Sequence, residues 1–187
     1  MPAGVSHPIV GLAAGHAFAR EKMPLRFWVL SGVLPVFPDV DTIGFYLGVP
    51  YESFWGHRGF FHSIFFALLL GVFVAAVYFR EERIGSKKWC LLAAYFFLIT
   101  ATHGILDAFT NGGLGIALLA PFDNTRYFFP WQPIQVAPLY PRAMFSAWGL
   151  RVVASELLWV WLPSVLVIVV FRTVRRRRTT TAEEEPR

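Results

Sequence analysis

Apolar residues run along this chain in long blocks, without the half-turn alternation of a helix lying partly in water. His62–Phe79 carries no charge after its first residue. Trp89–Asp107 stays apolar until Thr102 and His103. Trp148–Phe171 is apolar from Leu157 onward, with Arg151 and Glu156 near its start. A bilayer core of about 30 Å takes a helix of roughly 20 apolar residues, so each block reads as a membrane span. Two further stretches are shorter. Leu25–Pro38 meets Pro35 and Pro38, which break or kink a helix by removing an amide donor. Pro8–Ala19 is rich in Gly and Ala, which suits close helix packing. It lacks the basic flank and cleavage site of a signal peptide. The pattern predicts an all-α polytopic membrane protein, a helical bundle of four or five transmembrane segments. Residues 1–171 read as one embedded domain. Residues 172–187 read as a basic, then acidic tail, disordered from Thr179 on. Between the fourth and fifth segments, Asn111–Pro141 reads as an irregular outer loop. Its Tyr127, Phe128, Phe129, Trp131 and Tyr140 suit the aromatic belt of a membrane interface.

Lys and Arg orient these segments. Clusters at 20–26, 80–88 and 172–187 hold 13 of the 17 basic residues. Five alternating segments place all three clusters on the cytoplasmic side, following the positive-inside tendency. Arg58, Arg126, Arg142 and Arg151 then fall outside, with the amino terminus outside and the carboxyl terminus in the cytoplasm.

Composition agrees. The chain is 56% hydrophobic and 16% charged, with a mean hydropathy of +0.51, which excludes a disordered chain and disfavours a water-soluble globule. A net charge of +5 resembles a nucleic-acid signal, yet its distribution is that of topology signals and lipid contact. Membrane lipids are the expected partners, and no nucleic acid. A lone cysteine, Cys90, excludes a disulfide framework and a Cys-rich zinc module.

Against this background the ionisable residues stand out, because they are costly near a bilayer. The orientation puts His7, Asp39, Asp41, His57, His62, His103 and Asp107 at one level of the outer face. Lys and Arg alone set that orientation, so the convergence is an independent sign. In Pro38-Asp39-Val40-Asp41 the carboxylates alternate; in an extended stretch they would share a side and offer hard oxygen ligands. His103 and Asp107 are four apart, on one helix face. His57-Arg58-Gly59-Phe60-Phe61-His62-Ser63 sets two imidazoles about a Gly-containing turn, with an arginine able to bind phosphate or carboxylate bidentately. Each pair has a plainer reading, as a cap, a polar turn or a His–Asp hydrogen bond. Ser63 reads as a helix-start hydrogen bonder, and His16, deeper in the first segment, as a packing residue.

Together these residues resemble the bacterial and archaeal family of membrane-bound metal-dependent hydrolases, the YdjM-like inner-membrane proteins. The likeness rests on His7, Leu34–Asp41, Gly56–Ser63, Thr102–Asp107 and Thr110–Gly113, in that order. It departs at Phe61, where members often have Thr, and at Thr42, where many have His or Pro. The resemblance implies a His/Asp centre for one or two divalent ions (Zn, Mn or Mg) with those seven residues as ligands. Seven exceed one tetrahedral site; two ions would use them well, with Asp39 or Asp41 bridging. Asp41 and Arg58 are then the catalytic candidates. Arg58 is expected to face a water-accessible cleft and neutralise charge on an amphipathic phosphoester; as a plain loop brace it would instead pair with Glu52 or Asp123. The rival class is non-enzymatic: a structural or sensor metal protein, or a small ion transporter. Transport calls for ionisable residues through the membrane depth, and here they gather at one face.

Overall fold

The computed structural model describes residues 1–138 and 141–183. Tyr140, one of the belt residues expected above, lies outside them, as do 184–187. The described chain is all-α: α1 Ser6–Phe18, α2 Leu25–Val33, α3 Ile43–Tyr46, α4 Ile64–Tyr78, α5 Lys87–Ala108, α6 Ala147–Glu156 and α7 Leu162–Glu183. A π-helical turn, Leu157–Trp161, joins α6 to α7 without a break. Two short 3₁₀ turns, Phe37–Thr42 and Phe60–His62, precede α3 and α4.

Local chemistry sets the helix starts. Pro24 sits at the cap of α2, where its missing amide costs nothing. Ser63, Ser86 and Ser146 cap α4, α5 and α6, each hydroxyl accepting from an amide of the first turn. Ser63 thus takes the hydrogen-bonding role read from the sequence. Gly85, at φ 81°, makes the turn between α4 and α5. These two helices pack along their length. A Cβ at Gly71 would come within 2.4 Å of the Phe97 amide nitrogen, so only glycine permits that approach. α1 packs on α2, α5 and α7.

Two helices are long and apolar enough to cross a membrane, Lys87–Ala108 and the continuous Ala147–Arg176. α4 is equally apolar but has 15 residues. Leu157, Leu158, Val165, Leu166, Val169 and Val170 on α6–α7 are each about half exposed. An apolar face of that extent is untenable in water and natural against lipid.

Two expectations change. Helix continues through the arginine run to Glu183, where disorder was expected from Thr179; no glycine or proline interrupts 172–183. The Asp39–Asp41 stretch is a 3₁₀ turn, not extended. Residues two apart in such a turn point roughly 120° apart, so the carboxylates take different neighbours. Residues 111–138 form the irregular loop, pinned by single bridges Thr110–Ile134 and Ile116–Tyr127.

Candidate metal centre

The last turns of α5, the first turn of α1 and the turns before α3 and α4 meet at one end of the bundle. His103 and Asp107 arrive one helical turn apart on α5, and His7 on α1. The first 3₁₀ turn brings Asp39 and Asp41. The loop and turn ahead of α4 bring His57, Arg58 and His62. A Cβ at Gly104 would lie 2.4 Å from the His62 carbonyl oxygen, so α5 can approach that turn only through a glycine.

His62 is the hub. Its Nε2 lies 3.0 Å from His103 Nε2, 3.6 Å from Asp39 Oδ1 and 3.8 Å from Asp107 Oδ2. Its Nδ1 lies 3.0 Å from Asp41 Oδ2. His103 Nε2 is 3.4 Å from Asp39 Oδ1. The His7 ring stacks on His103 with centroids 4.0 Å apart, and its Nε2 is 3.8 Å from Asp107 Oδ1. Two groups result: Asp39, Asp41, His57 and His62; and His7, His103 and Asp107. Within each group the donor atoms lie within 4.8 Å of one another. The His62–His103 contact is the seam between them. All seven residues picked from the sequence therefore converge, and His16 stays outside both groups. It packs on Trp28, with Nε2 3.3 Å from Arg172.

Several contacts orient these rings. His103 Nδ1 is 2.7 Å from the Pro35 carbonyl oxygen, which can only accept. The proton therefore sits on Nδ1, and in the neutral ring Nε2 turns its lone pair to the centre. His57 Nδ1 bonds Asp41 Oδ1 at 2.7 Å. Asp41 Oδ2 accepts the Arg58 amide at 3.1 Å, so both oxygens of Asp41 are engaged. Burial works to raise the pKa of both Asp39 and Asp41, but the neighbouring imidazoles outweigh it: His103 and His62 beside Asp39 hold it well below the usual carboxylate range, and His57 and His62 lower Asp41.

Arg58 differs from expectation. It is 1% exposed and faces no water-accessible cleft. Its partner is neither Glu52 nor Asp123: Nε lies 3.1 Å from Asp107 Oδ2, while the terminal nitrogens donate to Gly112 O at 2.7 Å and Thr110 Oγ1 at 3.3 Å. Its φ of 64° is left-handed, a conformation costing about 1–2 kcal/mol for a residue with a Cβ. That backbone turn lets one residue hold both groups, Asp41 through its amide and Asp107 through its guanidinium.

The donor set fits a divalent ion. Both Nδ1 and Nε2 of His7, Asp39 Oδ1 and both oxygens of Asp107 are buried without a hydrogen-bond partner among the described residues. The Arg58–Asp107 contact balances charge without an aligned hydrogen bond. With the imidazoles neutral, as metal ligands are, three carboxylates outnumber the one guanidinium, a balance that favours a cation. Leaving buried carboxylates unpaired is costly, and an N/O donor set suits zinc, manganese or magnesium.

Four contributors had no site role in the sequence reading. The Pro35 carbonyl, a backbone group, is announced by no spacing, and Thr110 was visible only as part of the Thr110–Gly113 element, without a partner. Arg126 read only as an outer charge. It donates to the carbonyls of His57 at 3.0 Å and Tyr51 at 2.9 Å, bracing the His57 loop. Glu156 was visible as an acid inside an apolar block. It is fully buried and accepts from the Ala3 amide and, at 2.7 Å, from Ser6 Oγ, which also takes the Trp161 indole proton. Glu156 thereby anchors the start of α1, next to His7.

The model of the YdjM inner membrane protein family matches residues 1–179. The chain belongs to this family. It is 37% identical over 171 residues to the inner membrane protein YbcI of Escherichia coli (strain K12), covering 90% of this chain and 95% of that protein. No solved structure matches it. Membership makes this an inner-membrane protein, in keeping with its exposed apolar helices. The centre described above lies within the matched span.

Proposed function

We propose that this YdjM-family chain is a membrane-bound metal-dependent hydrolase, acting at the outer membrane face on a phosphoester of an amphipathic, lipid-linked substrate. The supporting observation is the buried, unpaired donor set of His7, Asp39 and Asp107 beside the facing Nε2 atoms of His62 and His103. Asp39, His62, His103 and Asp107 would hold one divalent ion at the seam, and His7 and His57 leave room for a second. Such an ion supplies Lewis acidity, easing deprotonation of water and drawing electron density from a phosphoryl oxygen.

The chain's own residues prepare the place. Asp41 orients the His57 and His62 rings, and the Pro35 carbonyl orients His103. Arg58 holds Asp107 and spreads the charge of the carboxylates. Its burial makes it a positioning residue in this scheme, not the solvent-facing anion binder expected from sequence. Asp39, with a side chain 13% exposed, marks the open side, while the fully buried His7, His103 and Asp107 close the inner side to water. A water-poor site strengthens every charge interaction within it. An open side near lipid favours a substrate with both a phosphate and an apolar part.

A second reading has its own support. The group His7, His103 and Asp107 is fully buried, as in closed structural metal sites. One experiment separates the two. Purified protein is assayed for metal, then for phosphoester hydrolysis with that metal restored. Bound metal with turnover that disappears in His62→Ala is the expected result. Bound metal without turnover on lipid and soluble phosphoesters favours the structural reading, and absence of metal removes both. The proposed orientation is checked by cysteine labelling in a Cys90-free background. Glu52→Cys should react from outside the cell and Ser86→Cys should not; the reverse would invert it.

A further inference from the structure

The other end of the bundle holds a second feature, independent of the metal centre. Lys87 begins α5 and Asp107 ends it. At about 1.5 Å per residue they lie roughly 30 Å apart, a bilayer core's thickness. Around Lys87 a cleft of about 660 Å³ opens between the end of α1, the link to α2 and the start of α5. Its floor is apolar: Ala17, Phe18, Met23, Leu91 and Leu92. Its rim is charged: Arg20, Glu21, Lys87 and Lys88.

The rim charges are not equivalent. Lys88 pairs with Glu82 at 2.8 Å and lies 3.8 Å from Glu21, the only acid of the lining. Nearby, Arg26 pairs with Glu81. Arg20 and Lys87 have no acidic partner among the described residues. Two uncompensated cations therefore stand over an apolar floor, at the first turn of a 22-residue helix whose dipole also favours an anion.

We propose that this cleft seats one anionic phospholipid of the leaflet opposite the metal centre. Its phosphate lies between Arg20 and Lys87, and an acyl chain runs along Phe18, Leu91 and Leu92. A free phosphate would leave the apolar floor bare. A zwitterionic lipid would bring its own cation to a rim that is already positive. The site requires neither metal nor hydrolysis, so it stands or falls apart from the function proposed above.

The test is native mass spectrometry of the full-length protein titrated with phosphatidylglycerol or phosphatidylcholine of identical chains. The wild type should retain phosphatidylglycerol in preference. Arg20→Glu with Lys87→Glu should weaken that binding about tenfold or more, on the scale of two lost surface cations. Arg80→Glu with Arg83→Glu, the same charge change on neighbouring residues outside the lining, should weaken it far less. All four side chains are exposed, so the fold is not at stake. Equal retention of the two lipids, equal loss in the two variants, or displacement by glycerol phosphate at the lipid's own concentration would each overturn the proposal.

Discussion

The two halves of α5 each bury a core, and the two cores are entirely different. Toward its start, Leu92, Phe96 and Ile99 pack with Phe27, Leu30, Phe79 and Tyr95, all at most 9% exposed. Ser31 Oγ and Tyr95 OH are 2.6 Å apart, and Tyr95 reaches the Gly11 carbonyl; the one unpaired group there among the described residues, the Trp89 indole N–H, carries no charge. Toward its end, His103 and Asp107 are just as inaccessible as Phe96, each 0% exposed, yet Asp107 has no hydrogen-bond partner among the described residues. The apolar half gains from close packing alone. The polar half carries unpaired donors and excess negative charge, which suit a cation. Burial measures both alike; only the balance of donors, acceptors and charges separates an apolar core from a candidate ligand site.

That contrast can be broken by mutation. Asp107→Ala strips Arg58 of its counter-charge, and removing one partner of a buried pair costs about 3–5 kcal/mol. It should also abolish metal retention. Phe96→Ala should cost a similar 3–5 kcal/mol through its cavity, while metal content stays unchanged. Unfolding curves with metal analysis check both. Chelation then sharpens the distinction: it should lower the stability of wild type and Phe96→Ala equally, since independent sites add, and leave Asp107→Ala where it was. Equal chelator sensitivity in all three would erase the difference between the two ends.

A smaller effect should follow from Glu156→Ala, which unpairs Ser6 and Ala3. The cost is about 1–3 kcal/mol. Metal affinity should fall by roughly tenfold, as for other partners of ligating residues, because Ser6 directly precedes His7. Titration with cobalt or zinc reads this, and Glu156→Gln, which keeps one acceptor, should recover part of it. His16→Ala should do least: a stability change within about 0.5 kcal/mol and unaltered metal content. A sharp loss of metal in that variant would extend the polar centre well down α1.

How much of this could be read from the chain follows from the physics of each feature. The long helices were legible because a lipid-facing segment must be apolar along its length, and α4, α5 and α6–α7 fall on the three apolar blocks. The ligand candidates were legible for the complementary reason: a charge in such surroundings is costly, so His7, Asp39, Asp41, His57, His62, His103 and Asp107 stood out before any contact was known. Glu156 stood out in the same way, but its partners, Ala3 and Ser6, lie about 150 residues away.

What required the tertiary structure was direction. The Asp39–Asp41 spacing holds in both extended and 3₁₀ backbone, and only the 3₁₀ turn sends Asp39 to His103 and Asp41 to His57. Arg58 was visible as a cation between two histidines; whether it met water or Asp107 depended on a left-handed φ and on where α5 ended. Composition and periodicity report what each residue costs in a given solvent, and that determined the class, the apolar segments and the donor set. Which donor faces which is set by packing between segments far apart in sequence, such as Gly104 against the His62 turn, and no local pattern encodes it.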